Sequence, residues 1–193
     1  MPDVDYKLIA LDLDGTVLNS SGEISDGVPS LIGELADRGI RTVICTGRRW
    51  RTTRPALEQI EETDPVVICC GGALVKDGQS QETLWKNPLH VDIARRSVDL
   101  FRSAHLIPIV LYDRTIADRE LLVSYEDRYR IRELMYIRQN LQTVEFYEGP
   151  FPSMLEAPLE VYTVDTVSLV ESAQDLLHRE LGQAGFVTGL QQP

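Results

Sequence analysis

Short apolar runs alternate with polar, glycine-containing breaks through the first part of the chain. Leu8-Ile9-Ala10-Leu11, Arg41-Thr42-Val43-Ile44-Cys45 and Val66-Val67-Ile68-Cys69-Cys70 each read as a buried strand of a parallel sheet. Between the first two, Ser25 is placed to cap a helix and Pro29 suits its first turn. Leu31, Ile32, Leu35 and Ala36 recur on one face, and Gly39 ends the helix, which predicts a βαβ unit. Gly71-Gly72-Ala73 turns the third strand into Leu74-Val75 and a hairpin at Lys76-Asp77-Gly78-Gln79.

After the hairpin the order of elements changes. Glu82 to Lys86 predicts a strand, Val91 to Ala104 an amphipathic helix and Ile107 to Tyr112 another strand. Thr115 to Asn140 is dense in charge with moderate helical periodicity, and part of it is assigned to loop. Strands follow at Thr143 to Tyr147 and Glu160 to Val164, with Gly149, Pro150, Pro152 and Pro158 between them. Val167 to Leu181 is a helix, apolar at Val167, Val170, Leu177 and Leu181, and Phe186-Val187-Thr188 a final strand. The fold class is α/β: a Rossmann-like parallel core over residues 1–80, then an α+β unit over residues 81–193.

The chemistry sits where the first strand ends. Asp12-Leu13-Asp14-Gly15-Thr16 delivers two carboxylates to a turn, and ligands of open α/β sheets bind at the carboxyl ends of strands. A carboxylate can attack a phosphoryl group and carry it as an aspartyl-phosphate, while a neighbour protonates the leaving oxygen and then activates water. Asp12 is the candidate nucleophile and Asp14 the candidate acid/base. Mg2+ suits the pair, because it takes one or two carboxylates plus waters and phosphate oxygens. At the end of the second strand, Thr46-Gly47-Arg48 supplies a hydroxyl, a flexible residue and a cation ahead of a helix whose interior begins near Trp50. Thr46 can hold phosphate oxygens or cap that helix, and the two readings are compatible.

The string from Asp12 to Leu18 resembles the first motif of the haloacid dehalogenase-like phosphatases, most closely their Cof-type branch. The resemblance implies that Asp12 is the nucleophile and a Mg2+ ligand. It implies that Asp14 is the acid/base with its backbone carbonyl on the metal, and that Thr46 binds phosphate. Gly15, Thr16, Gly47, Arg48 and Gly72 complete the candidate phosphate-binding set. Cof-type proteins often carry Asn where this chain has Gly71. The resemblance also makes the α+β unit a cap inserted after the third core strand, which closes over the aspartates and selects the substrate. Arg119, Arg128, Arg130 and Arg132 are then candidate contacts for an anionic substrate, against the ordinary reading of a solvated or salt-bridged face.

The family also uses a lysine and a Gly-Asp-x-x-Asn-Asp segment after the cap, and neither is present: the last lysine is Lys86. In the family, later strands cover the far side of the first strand. Here that strand is expected to present an apolar edge, and truncation, a rearranged fold, or a partner or second copy covering that edge would account for it.

Composition narrows the partners. A net charge of −11 argues against non-specific nucleic-acid binding and against an anionic membrane surface. No signal peptide or transmembrane stretch is evident. Cys45, Cys69 and Cys70 lie in predicted strands without ligand spacing, which suits small apolar residues in a reducing cytoplasm. His90, His105 and His178 are scattered. The leading expectation is a Mg2+-dependent phosphatase of a small phosphorylated metabolite such as a sugar phosphate. The alternatives are a non-catalytic phosphate- or partner-binding protein, a phosphomutase, or a phosphotransferase of the same fold.

Overall fold

The computed structural model describes residues 5–60, 65–113, 119–149 and 158–182. The chain divides into two compact units, Met1–Asn87 and Pro88–Pro193.

In the first unit, β1 (Leu8–Asp12), α1 (Val28–Asp37), β2 (Arg41–Cys45), α2 (Trp50–Leu57) and β3 (Val66–Cys69) alternate as the hydrophobic pattern predicts. β4 (Leu74–Asp77) and β5 (Thr83–Lys86) follow, and the sheet runs β1-β2-β3-β4-β5. β1, β2 and β3 are parallel, and β4 and β5 are antiparallel additions. Because β5 pairs with β4, the boundary expected after residue 80 falls instead after Asn87. Asp12 is in register with Cys45, and Cys45 with Ile68, so three strands finish side by side.

Two expectations change in detail. β1 presents the expected edge of the sheet, but the strand is less buried than its apolar run predicts: Leu8, Ala10 and Asp12 are exposed, and Ile9 and Leu11 are half-buried. Its edge is apolar, with Leu8 53% exposed. The cap of α1 is Gly27, whose left-handed φ of 82° turns the chain into the helix, and Ser25 contributes only its carbonyl to Val28 N–H. Of the apolar stripe on α1, Ile32 is the buried anchor, Leu35 is half-buried, and Leu31 and Ala36 are exposed.

The second unit has β6 (Ile109–Leu111), β7 (Leu121–Ser124), β8 (Val144–Tyr147) and β9 (Glu160–Tyr162) in the order β8-β7-β6-β9. Its helices are α3 (Val91–Ser103), the short α4 (Met135–Arg138) and α5 (Val167–Leu181). Val98 of α3 packs with Val110, Tyr112, Leu122 and Tyr147. Phe101 and Leu106 pack with Ala173, Leu177 and Leu181 of α5. β7 is a strand inside the segment assigned in part to loop; it is buried at every position and so shows no alternation for a sequence pattern to reveal. The strand expected at Phe186–Thr188 lies outside the described residues. Cys69 and Cys70 are buried and Cys45 half-buried, all as free thiols.

Candidate active site

The two aspartates stand on one side of the end of β1 because Leu13 between them points the other way and is fully buried. Asp12 and Asp14 are both exposed. Gly15, at φ 73°, turns the chain out of the strand, and exposed Thr16 continues the turn. Val17 N–H donates to the Asp12 carbonyl at 3.3 Å and Leu18 N–H to the Leu13 carbonyl at 2.8 Å. Val17 and Leu18 are buried, so the loop that bears the acids is anchored in the core. Beyond it, Asn19 Oδ1 closes the turn over residues 19–23 by accepting from Ser21 and Glu23 N–H.

Thr46 follows β2 and is 7% exposed. Its N–H donates to the Ile68 carbonyl of β3 at 2.9 Å, and its Oγ1 accepts from Arg48 N–H at 3.1 Å. The helix cap is Arg49, so Thr46 holds the turn before α2 and does not cap the helix. Gly47 is exposed at the tip of this turn. The Arg48 carbonyl accepts from Cys70 N–H at 2.9 Å. Cys70, Gly71 and Gly72 all have left-handed φ, at 52°, 56° and 96°. Gly72 is exposed, and a Cβ there would touch nothing within 4 Å, so its backbone angle rather than lack of space favours glycine.

The contact that joins the two motifs is an ion pair. Arg48 Nε donates to Asp14 Oδ2 at 3.0 Å and Nη2 to Asp14 Oδ1 at 2.5 Å, a bidentate fork. The side chains are 35% and 54% exposed, so after solvent screening the pair contributes about 0.2–1 kcal/mol. The Asp12 carboxylate makes no hydrogen bond or ion pair among the described residues; it acts on Cys45, whose thiol is pushed up first by burial and then by the Asp12 carboxylate.

The structure therefore brings Asp12, Asp14, Gly15, Thr16, Thr46, Gly47 and Arg48 to neighbouring ends of parallel strands, with Gly72 in the loop that ends β3. The Arg48–Asp14 pairing was missed from sequence. The register of two parallel strands carried it, since Asp12 opposite Cys45 sets the residues just beyond both strands against each other. Arg128 stacks on the Tyr125 and Tyr129 rings at 4.1 Å and 4.3 Å, and Arg130 binds Asp127 and the His105 carbonyl. Arg119 and Arg132 are exposed. Among the described residues no group of three or more His, Cys, Asp or Glu side chains converges on a metal position. The Asp12 carboxylate and the Asp14 backbone carbonyl, hard oxygen donors at an exposed strand end, still fit Mg2+, which fills its remaining positions with water and phosphate oxygens.

The family model of haloacid dehalogenase-like hydrolases matches residues 9–181. The chain belongs to that family. Among curated haloacid dehalogenase-like relatives, it is 37% identical over 103 residues to the 5-amino-6-(5-phospho-D-ribitylamino)uracil phosphatase of Bacillus subtilis, covering 53% of this chain and 40% of that one. It is 26% identical over 174 residues to a putative phosphatase of Streptococcus pyogenes, covering 88% of this chain and 61% of the relative. A crystal structure of a haloacid dehalogenase-like hydrolase from Bacteroides thetaiotaomicron superposes with a TM-score of 0.68 at 21% identity, covering 93% of this chain and 66% of that one, and shows the shared fold. The chain spans less than two thirds of the length of each of these proteins. No described helix is long and apolar enough to cross a membrane.

Proposed function

We propose that the protein hydrolyses the phosphomonoester of a small phosphorylated metabolite, such as a sugar phosphate, with Mg2+ as cofactor. The observation that carries this is the placement of Asp12 and Asp14 at the end of β1 beside Thr46 at the end of β2. The phosphatase names of its curated relatives support it.

In this reading an Asp12 carboxylate oxygen attacks phosphorus as the bond to the leaving oxygen breaks, and Asp14 gives that oxygen its proton. Water then attacks phosphorus of the aspartyl-phosphate, Asp14 takes the proton, and inorganic phosphate and the Asp12 carboxylate are released. Thr46, with the backbone around Gly47 and Gly15, orients the phosphoryl oxygens. The Asp12 carboxylate and the Asp14 backbone carbonyl would hold Mg2+, which would supply neutralisation of the oxygens' charge. The second unit is the inserted cap of the family pattern, and the three free cysteines suit a reducing cytoplasm.

The test is phosphate release from p-nitrophenyl phosphate by the 193-residue chain with Mg2+, with chelator, and with Asp12→Asn. Metal-dependent release that the substitution abolishes is the expected result. Undiminished release by Asp12→Asn would remove Asp12 from the nucleophile role. Phosphate binding without turnover in the unsubstituted chain would replace the enzyme reading with that of a phosphate-binding protein.

A further inference from the structure

We infer that Arg48 is a substrate-operated latch on Asp14: in the free protein its fork holds the acid/base carboxylate, and an arriving phosphoryl group takes the fork over and releases Asp14 towards the leaving oxygen. This rests on the phosphatase reading above and adds a positioning residue to it.

Three observations carry it. First, both Asp14 carboxylate oxygens are engaged by one guanidinium, Oδ2 by Nε and Oδ1 by Nη2. The Nε/Nη2 edge of a guanidinium holds one planar or tetrahedral oxyanion at a time, so a phosphoryl group that takes this edge of Arg48 displaces Asp14 from both donors. Second, the Arg48 backbone is pinned on both sides, its N–H on Thr46 Oγ1 and its carbonyl on Cys70 N–H. Any exchange of partner is thereby confined to the side chain, which swings about a fixed base. Third, the base of that swing is the same Thr46 turn that ends β2, so the new partner is met at the phosphate-binding position itself.

The charges make the exchange favourable. The Asp14–Arg48 pair is solvent-exposed on both sides, at 54% and 35%, which keeps it weak enough to be displaced. A phosphate monoester offers up to two negative charges and three oxygens where the carboxylate offers one charge and two oxygens. Once the fork has moved, Asp14 has no other side-chain partner among the described residues, and its carboxyl group is available to the leaving oxygen.

The experiment is an NMR titration of the isotope-labelled 193-residue chain with inorganic phosphate, in Mg2+ buffer at constant ionic strength. It follows Arg48 Nε–H, Asp14 Cγ and Thr46 N–H. All three are expected to shift with one common midpoint, and Arg48→Lys, which keeps the charge without the fork, is expected to weaken phosphate binding about tenfold, the equivalent of one charge-assisted hydrogen bond. In the free protein, Asp14→Ala is expected to move Arg48 Nε–H to the position of a solvated arginine, and an unchanged resonance would overturn the inference. A shift at Thr46 with Arg48 and Asp14 stationary would overturn the latch and leave the phosphate reading standing. Absence of shift at all three would overturn both.

Discussion

Thr46 is the residue at which stability and binding can be separated by substitution. Its hydroxyl is an acceptor for Arg48 N–H at 3.1 Å, and its side chain is 7% exposed. Thr46→Val keeps the shape and removes the acceptor, leaving a part-buried N–H unpaired, at a cost of about 1–2 kcal/mol. Thr46→Ser keeps the acceptor and removes one methyl, at about 0.5–1.5 kcal/mol including the small void. Thr46→Ala removes both and is expected to cost about 2–3 kcal/mol, close to the sum.

Phosphate binding is expected to follow a different order. On the proposed function it depends on the hydroxyl, so Ser is expected to bind close to wild type while Val and Ala fall together, each by tenfold or more, about 1.4 kcal/mol. Both tryptophans, Trp50 and Trp85, lie in the first unit, so their fluorescence in urea reports the unit that carries the site. With a urea slope of about 2 kcal/mol/M, the Val substitution moves the midpoint by about 0.5–1 M. Calorimetric titration with inorganic phosphate supplies the binding order. A Val variant as stable as wild type would show that the hydroxyl does not hold the turn. Binding losses that track stability, with Ala well below Val, would show that Thr46 serves the site only by keeping it folded.

Two further outcomes follow from the β4–β5 hairpin. A Cβ at Gly78 would lie 2.6 Å from the Pro65 carbonyl oxygen, the same atom that accepts from Gly78 N–H, so Gly78→Ala is expected to destabilise by about 1–3 kcal/mol despite a gain of about 0.4–1 kcal/mol from a stiffer unfolded chain. A raised urea midpoint for this variant would refute the contact. Asp77 is held below the usual carboxylate range, chiefly by the backbone N–H and the hydroxyl of Ser80 and also by Gln79 N–H. Its folded pKa is lower than its unfolded one, so its contribution is present above about pH 4 and is lost as pH falls through the folded value. Asp77→Asn is expected to flatten the decline of the urea midpoint on acidification, and parallel profiles for the two proteins would exclude the turn as a source of acid sensitivity.

What could be read from sequence depended on how local the governing interaction was. The helix over Val167–Leu181 is found with the same bounds because its core contacts, Leu177 and Leu181, repeat at helical spacing against Phe101 and Leu106. The strands β1, β2 and β3 were legible as apolar runs ending in turn residues. β7 was not, since a short strand buried on both faces among arginines has neither alternation nor length. The allocation of β5 to the first sheet was equally hidden, because nothing in Thr83–Lys86 states which strand it will pair with. The same division holds within the site. The candidate roles of Asp12, Asp14 and Thr46 were read from residue type and spacing, whereas the fork from Arg48 to Asp14 and the tie from Cys70 to the Arg48 carbonyl depend on register between strands far apart in sequence. The left-handed Cys70 is a further case, since sequence alone favours glycine at such an angle.

On the proposed function, the Arg48–Asp14 pair also bears on how a protein of net charge −11 would accept an anion at two adjacent acids. At physiological ionic strength charges more than about 8 Å apart are largely screened, so the local groups decide. In the segment from the end of β2 through α2, Arg48 is the cation that pairs with Asp14, while Arg54 is committed to Glu58 at 3.0 Å. Two bare carboxylates at the end of β1 would repel a phosphoryl group before it reached Thr46. Pairing Asp14 with Arg48 neutralises one of them in the free protein, and leaves Asp12, which has no ion-pair partner among the described residues, as the charge that an approaching phosphorus would meet. In the proposed mechanism the nucleophile must keep its lone pairs open while the acid/base can be stored, and the asymmetry between the two aspartates fits that requirement.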